Sequence, residues 1–169
     1  MRRVSYNVLG DCMASKTNAV RLIIQNGYDC REVFYEYDEN DLSGNHAAEA
    51  IGMPPEQVFK TLVARGAKTG INVFCIPVCC ELDLKRAAKA AGDKNMELIP
   101  VKELLGLTGY IRGGCSPVGM KKKYPTYMDE TCQLYDCIAV SAGERGHQMI
   151  VPYEAIVTLA DAELVDIIA

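Results

Sequence analysis

No apolar run in the chain approaches the roughly 20 residues that a bilayer-spanning helix needs, so no such helix is expected. The opening stretch MRRVSYNVLGDCMAS has two arginines but no continuous apolar core, which makes it a poor export signal. Histidine is scarce, with only His46 and His147, and the eight cysteines form no C-x-x-C pair. A zinc site would therefore lack its usual thiolate spacing and its imidazoles, and no metal or other cofactor is expected. Without an export signal, reduced thiols in a cytoplasmic protein are the simpler reading. Such thiols serve mainly as small core hydrophobes. Positive charge is not in excess: net charge is -4 and the sequence pI about 5.2. A protein that grips nucleic acid chiefly through its own charge is more basic. Any RNA role must use a local patch or a partner. A phosphate-binding P-loop, a dinucleotide fingerprint and a G-x-S-x-G nucleophile elbow are all missing.

What is present is an ordinary globular balance, 49% hydrophobic and 24% charged over 169 residues. With no repeat, low-complexity tract or linker, residues 15–169 are expected to form one domain, preceded by a loosely ordered extension over 1–14. SKTNAVRLIIQNG predicts a helix with Ser15 as N-cap and Gly27 beyond its end. REVFYEY predicts a strand with Val33, Tyr35 and Tyr37 on one face. NHAAEAIG is a short helix stopped by Gly52. QVFKTLVAR and INVFCIPV flank GAKTG as a hairpin. DLKRAAKAAG is a helix from Asp83 to Gly92, MELIP a brief strand and VKELLGL a short helix. A Gly/Pro-punctuated loop, TGYIRGGCSPVGMKKKYP, follows. TYMDE, DCIAVSAG and HQMIVP read as a late meander, Pro152 opens the helix YEAIVTLA, and AELVDII closes as a strand. The mixture predicts an α+β domain around a mixed, largely antiparallel, barrel-like sheet with helices about it.

Four stretches could carry chemistry. In PPEQVFKTLVARG, Lys60 stands inside an apolar strand. Its ammonium either snorkels to water or lines a cavity, where it holds an anion or a developing oxyanion. In YIRGGCSPVG, adjacent glycines permit a tight turn or close approach of backbone N–H groups to an oxygen. Cys115 beside them lacks any local base to activate it as a nucleophile. MKKKYP presents Lys121, Lys122 and Lys123, either a solvated face or a phosphate contact. VSAGERG ends a strand with Ser141, placed to hydrogen-bond a ligand.

Together VFKTLV, TGYIRGGCSPVGMKKK and VSAGERG resemble the three signature blocks of the YbaK/EbsC aminoacyl-tRNA deacylases, in the family's order and at similar separations. The resemblance covers about residues 16–168, and GGCSPVG followed by lysines is closest to the Cys-tRNA(Pro) deacylase branch. It implies a fold related to the editing domain of some prolyl-tRNA synthetases. It also implies hydrolysis of mischarged aminoacyl-tRNA, chiefly cysteinyl-tRNA(Pro), without metal or covalent intermediate, or lyase-like through the substrate's own thiol. Residue by residue, the family's essential lysine falls on Lys60, its tyrosine on Tyr37, its glycine loop on Gly113 and Gly114, its strand-end serine on Ser141 and its last-block arginine on Arg145. Ser116 joins the substrate-binding set, and Lys121–Lys123 would meet tRNA. Cys115 stands where an aliphatic residue is more usual, which bears on pocket size. The partners implied are tRNA(Pro) and prolyl-tRNA synthetase, with no membrane. Editing of another mischarged tRNA such as Ala-tRNA(Pro), or a non-catalytic module that binds aminoacyl-tRNA or a synthetase, stays open at this level.

Overall fold

A computed structural model describes residues 5–7 and 16–169. Helix α1, Asn18–Gln25, begins where the Thr17 hydroxyl accepts from the Val20 N–H at 3.2 Å. Ser15, the expected cap, lies outside the described residues, and the helix starts beyond it. At the other end Gly27 takes a left-handed φ of 81°, so that its N–H and that of Tyr28 reach back to the Ile24 and Ile23 carbonyls. Helices α2 (Gly44–Ile51) and α3 (Leu84–Ala91) follow the same grammar, from Ser43 to Gly52 and from Asp83 to Gly92. Helices α4 (Val101–Thr108) and α5 (Tyr153–Ala160) start after Pro100 and Pro152.

The strands are β1 (Ser5–Asn7), β2 (Arg31–Phe34), β3 (Phe59–Gly66), β4 (Gly70–Pro77), β5 (Met96–Leu98), β6 (Thr126–Asp129), β7 (Cys137–Glu144), β8 (His147–Pro152) and β9 (Ala162–Val165). They divide between two sheets. One, in the order β1-β2-β8-β7, is antiparallel throughout. The other, β5-β3-β4-β6-β9, is antiparallel up to β4 and parallel from there to β9. Three residues of the supposed N-terminal extension are thus a strand, β1. The late meander resolves differently as well. After β6 the chain passes through a 3-10 helix, Glu130–Leu134, and leaves the sheet; only β7 and β8 form a hairpin. The long excursion through β7, β8 and α5 lets β9 return parallel to β6, which a tight turn could not do.

The sheets touch where Val58, held to the β3–β4 ladder by the Val78 N–H at 2.8 Å, bridges Ala139, and where Gln57 Nε2 donates to the Cys137 carbonyl at 2.9 Å. Val33, Ala48 and Ile51 pack around this seam. The largest core lies between α1, α5 and the β7–β8 hairpin, with Val20, Ile23, Val140, Met149 and Ile156 fully buried. A second lies under α3, where Phe74 stacks on Tyr127 at 5.4 Å.

The β3–β4 hairpin is tied from outside. Asp93 Oδ2 accepts from the Lys68 N–H (3.0 Å), the Thr69 N–H (2.7 Å) and the Thr69 hydroxyl (2.8 Å). These donors, the Thr69 N–H foremost, hold the Asp93 carboxyl well below the usual carboxylate range. A depressed folded pKa means stabilisation that is fully present above the unfolded value and lost as pH falls through the folded one. Asp93→Asn is therefore expected to lower Tm at neutral pH. Its deficit relative to wild type should shrink as the pH drops below about 4, the unfolded carboxylate range, in thermal melts across that span.

Candidate functional site

From the seam, β3 carries Lys60 into a cavity of about 620 Å³, a size suited to a small organic ligand. Val58, Leu62, Val78, Leu98 and Leu104 supply apolar walls. Gly113, from the loop after α4, and Ser141, from β7 of the other sheet, line the same space. Lys60 is half-buried and pairs across β3–β4 with Ile76. Among the described residues its ammonium has no hydrogen bond or ion pair with the protein. A cation among apolar side chains that makes no hydrogen bond or ion pair with the protein marks a place prepared for a ligand. Lys60 is not the sole charge, however: Arg112 and Glu81 also border the cavity. So do Ser43, Gly44 and Asn45 at the α2 N-terminus, whose helix dipole adds partial positive charge.

The two glycines do different work. The Gly114 N–H donates to the Ile111 carbonyl at 3.0 Å, closing a turn in which Gly113 sits at φ 83°, a conformation that favours glycine. Gly114 itself lies against the β7–β8 turn; a Cβ there would come within 2.9 Å of the Glu144 backbone. The adjacent glycines thus make the tight turn, and the Gly114 N–H is used within it. The Gly113 N–H has no protein acceptor among the described residues. Its peptide is held from behind, because Arg145 Nε donates to the Arg112 carbonyl at 2.9 Å. In a planar trans peptide the carbonyl and the following N–H point opposite ways, so fixing one aims the other. Arg145 accordingly lies behind the loop and does not line the cavity.

The base of that hairpin is fixed as well. His147 is buried, with its ring nitrogens 2.7 Å from Glu144 Oε1 and 3.0 Å from Glu32 Oε1, and it stacks on Phe34 at 4.1 Å.

Ser141 is buried, and its hydroxyl accepts from the Gly143 N–H at 3.2 Å. Ser116 is fully buried behind the loop, where its hydroxyl accepts from the Val118 N–H at 3.5 Å, and it does not reach the cavity. Tyr37 is 46% exposed and borders a neighbouring hollow with Arg145 and Gly146. The tyrosine of the main cavity is Tyr35. Strand β2 ends at Phe34, so the alternation that would align Tyr35 with Tyr37 stops before either residue. Cys115 lines the cavity, but burial pushes its thiol up to about 12. It stays protonated at neutral pH and supplies wall, not thiolate. Lys121–Lys123 are exposed and lie away from the cavity; Lys122 sits over the Tyr124 ring, and Lys123 is 4.0 Å from Asp161.

Sequence reasoning missed Tyr35, Glu81, Arg112 and Gln148. Gln148 is the cross-strand partner of Ser141, is buried, lines the cavity, and leaves its Oε1 without a hydrogen-bond partner. Folding VSAGERGHQ back on itself as a hairpin would have found it.

The aminoacyl-tRNA editing domain matches residues 43–159. The protein named "Putative Cys-tRNA(Pro)/Cys-tRNA(Cys) deacylase EbsC" of Enterococcus faecalis is 47% identical over 152 residues, 90% of this chain and 93% of that protein. A proline–tRNA ligase of Shouchella clausii is 28% identical over 106 residues, which are 63% of this chain but 18% of the ligase. Among solved structures, one described as "a putative trans-editing enzyme for prolyl tRNA synthetase" has the same fold, with a TM-score of 0.75 at 24% identity, covering 92% of this chain and 99% of that one.

Proposed function

The chain belongs to the aminoacyl-tRNA editing domain family, and from that premise we propose that it is a trans-editing deacylase that cleaves the aminoacyl ester of mischarged tRNA, with Cys-tRNA(Pro) as preferred substrate. The observation that carries this reading is the unpaired Lys60 ammonium sharing one cavity with Gly113 and Ser141. The bond to be broken joins an amino acid to the terminal ribose. An ester yields to orientation and oxyanion stabilisation, so no triad is needed. Lys60 stabilises charge developing on the carbonyl oxygen, its field strengthened by apolar walls and reinforced by Arg112 and the α2 N-terminus. The Gly113 N–H, aimed by Arg145, is the second donor. Ser141 and Tyr35 position the aminoacyl group, while the unused Gln148 Oε1 and Glu81 offer acceptors to its α-ammonium.

Cys115 stays a thiol and offers no nucleophile, and the attacking group in this reading is the substrate's own sulfur, with water as the alternative. The cysteinyl thiol gives up its proton and attacks its own ester carbonyl; a C–S bond forms, the C–O bond to the ribose breaks, the ribose oxygen takes a proton, and water opens the cyclic thioester left behind. A panel of Cys-, Ser-, Ala- and Pro-tRNA(Pro) tests this. Cys-tRNA(Pro) should turn over at least about tenfold faster than Ser-tRNA(Pro), the scale of discrimination one well-used group supplies. Equal rates for the two would eliminate the substrate-thiol route, and preference for Ala-tRNA(Pro) would reassign the substrate.

Lys121–Lys123 are proposed to touch the tRNA backbone beyond the acceptor end, in a cytoplasmic enzyme that takes its substrate from or beside prolyl-tRNA synthetase. Replacing all three with glutamine should weaken tRNA binding and reduce the salt dependence of log K by about 0.9 for each phosphate no longer neutralised. An unchanged slope would leave the three as solvated surface.

A further inference from the structure

Between Val78 and Glu81, two residues of the cavity wall, the chain carries two adjacent cysteines. Cys79 and Cys80 stand at a turn closed by the Cys80 N–H donating to the Pro77 carbonyl at 3.0 Å, and their sulfurs are 3.8 Å apart. Cys79 is exposed and Cys80 partly so. Cys75, Cys115 and Cys132 are buried, and burial raises their thiols, and that of the half-buried Cys30, to about 12, while Cys137 is half-buried with no cysteine beside it in sequence. Cys80 is also raised, by burial first and then by Cys79, but the Lys60 charge opposes the rise, which places its sulfur within the field of the site lysine.

We propose that Cys79 and Cys80 are a redox modification site, closed by hydrogen peroxide into a vicinal disulfide that reshapes the Lys60 cavity. This rests on the functional reading above only for its effect on turnover. The exposed Cys79 thiolate attacks peroxide, becomes a sulfenic acid and releases hydroxide. The Cys80 sulfur then displaces the sulfenic oxygen; the S–S bond forms, and that oxygen leaves as water with the Cys80 proton. Two electrons pass from the sulfurs to peroxide, and a dithiol reductant returns them.

Closure has a geometric cost that falls on the site. The sulfurs must approach from 3.8 Å to a bond of about 2.05 Å. The two Cα atoms, linked by one trans peptide, are held at about 3.8 Å, closer than ordinary disulfides permit. The small ring is therefore strained and readily reduced, the behaviour of a switch and not of a structural staple. The backbone rotations it requires pass to Val78 and Glu81. Val78 also donates to Val58 at the seam from which Lys60 springs.

The full-length protein is treated with hydrogen peroxide, digested and mapped by mass, and assayed for deacylation before and after dithiothreitol. The expected result is loss of two hydrogens localised to the peptide holding Cys79 and Cys80. Deacylation should drop by about tenfold or more, the scale of a displaced site wall, and dithiothreitol should reverse it. A Cys79→Ser/Cys80→Ser protein should keep its activity and ignore peroxide. Oxidation confined to other cysteines, or to a sulfinic acid at Cys79 without an S–S bond, overturns the proposal; so does a mapped disulfide that leaves the rate unchanged. If the reduced protein deacylates no substrate, the functional reading fails, and mass mapping still decides the disulfide.

Discussion

Lys60→Ala is expected to lower kcat/KM for Cys-tRNA(Pro) by about 10²–10³-fold, the loss seen when one preorganised oxyanion donor is removed. Stability should hardly change. The ammonium has no protein partner among the described residues, so truncation orphans no buried group. Lys60→Arg should not rescue the rate, because a planar fork cannot occupy the place of a compact point charge. Single-turnover deacylation paired with thermal melting reads both effects. A variant that melts like wild type and deacylates like wild type would remove Lys60 from the chemistry. An acyl group found covalently on Lys60 during turnover would make it the nucleophile instead.

Gly114→Ala carries the second large effect, and through a different cause. The added methyl would lie 2.9 Å from both Cα and C of Glu144 and 3.1 Å from the Arg145 nitrogen. Those are backbone atoms of a hairpin held by Glu144–His147–Glu32, so neither side can give way cheaply. Overpacking of this kind costs about 1–3 kcal/mol, or a fall of several degrees in Tm for about 150 residues. Moving the loop off the hairpin also breaks the Arg145–Arg112 hydrogen bond and swings the Gly113 N–H away. Deacylation should therefore drop by about 10²-fold, as for misplacement by an ångström. Gly106→Ala is the control. It lies on the exposed side of α4 with nothing within 4 Å, and it should be neutral or stabilising by about 0.5–1 kcal/mol in the same melts.

The helices are legible in the sequence because their signals are local. A side-chain acceptor followed by an apolar stripe and a glycine marks α2 and α3 almost to the residue. The division into two sheets is not legible. Nothing within TYMDE says that its partner is β4, some fifty residues earlier, rather than the β7–β8 hairpin that follows. Lys60 stands out because a charge within an apolar strand is locally anomalous. Arg112 and Glu81 are ordinary loop charges that become part of a site only when the chain has folded. Adjacent glycines announce a special turn without saying which N–H that turn consumes. Strand alternation puts Tyr35 and Tyr37 on one face and cannot choose between them, and it no longer applies past the end of β2.

The seam at Val58 and Ala139 has a consequence for how selectivity could drift. Lys60 is anchored on one side of that joint, Ser141 and Gln148 on the other, and a bridge of small aliphatic residues helps set the gap between them. Exchanging a methyl group there would widen or narrow the chamber as a whole while every polar group kept its own support. A lineage could thus trade one amino acid for another at the tRNA terminus by editing an aliphatic joint at the cavity wall, with no change to a polar group.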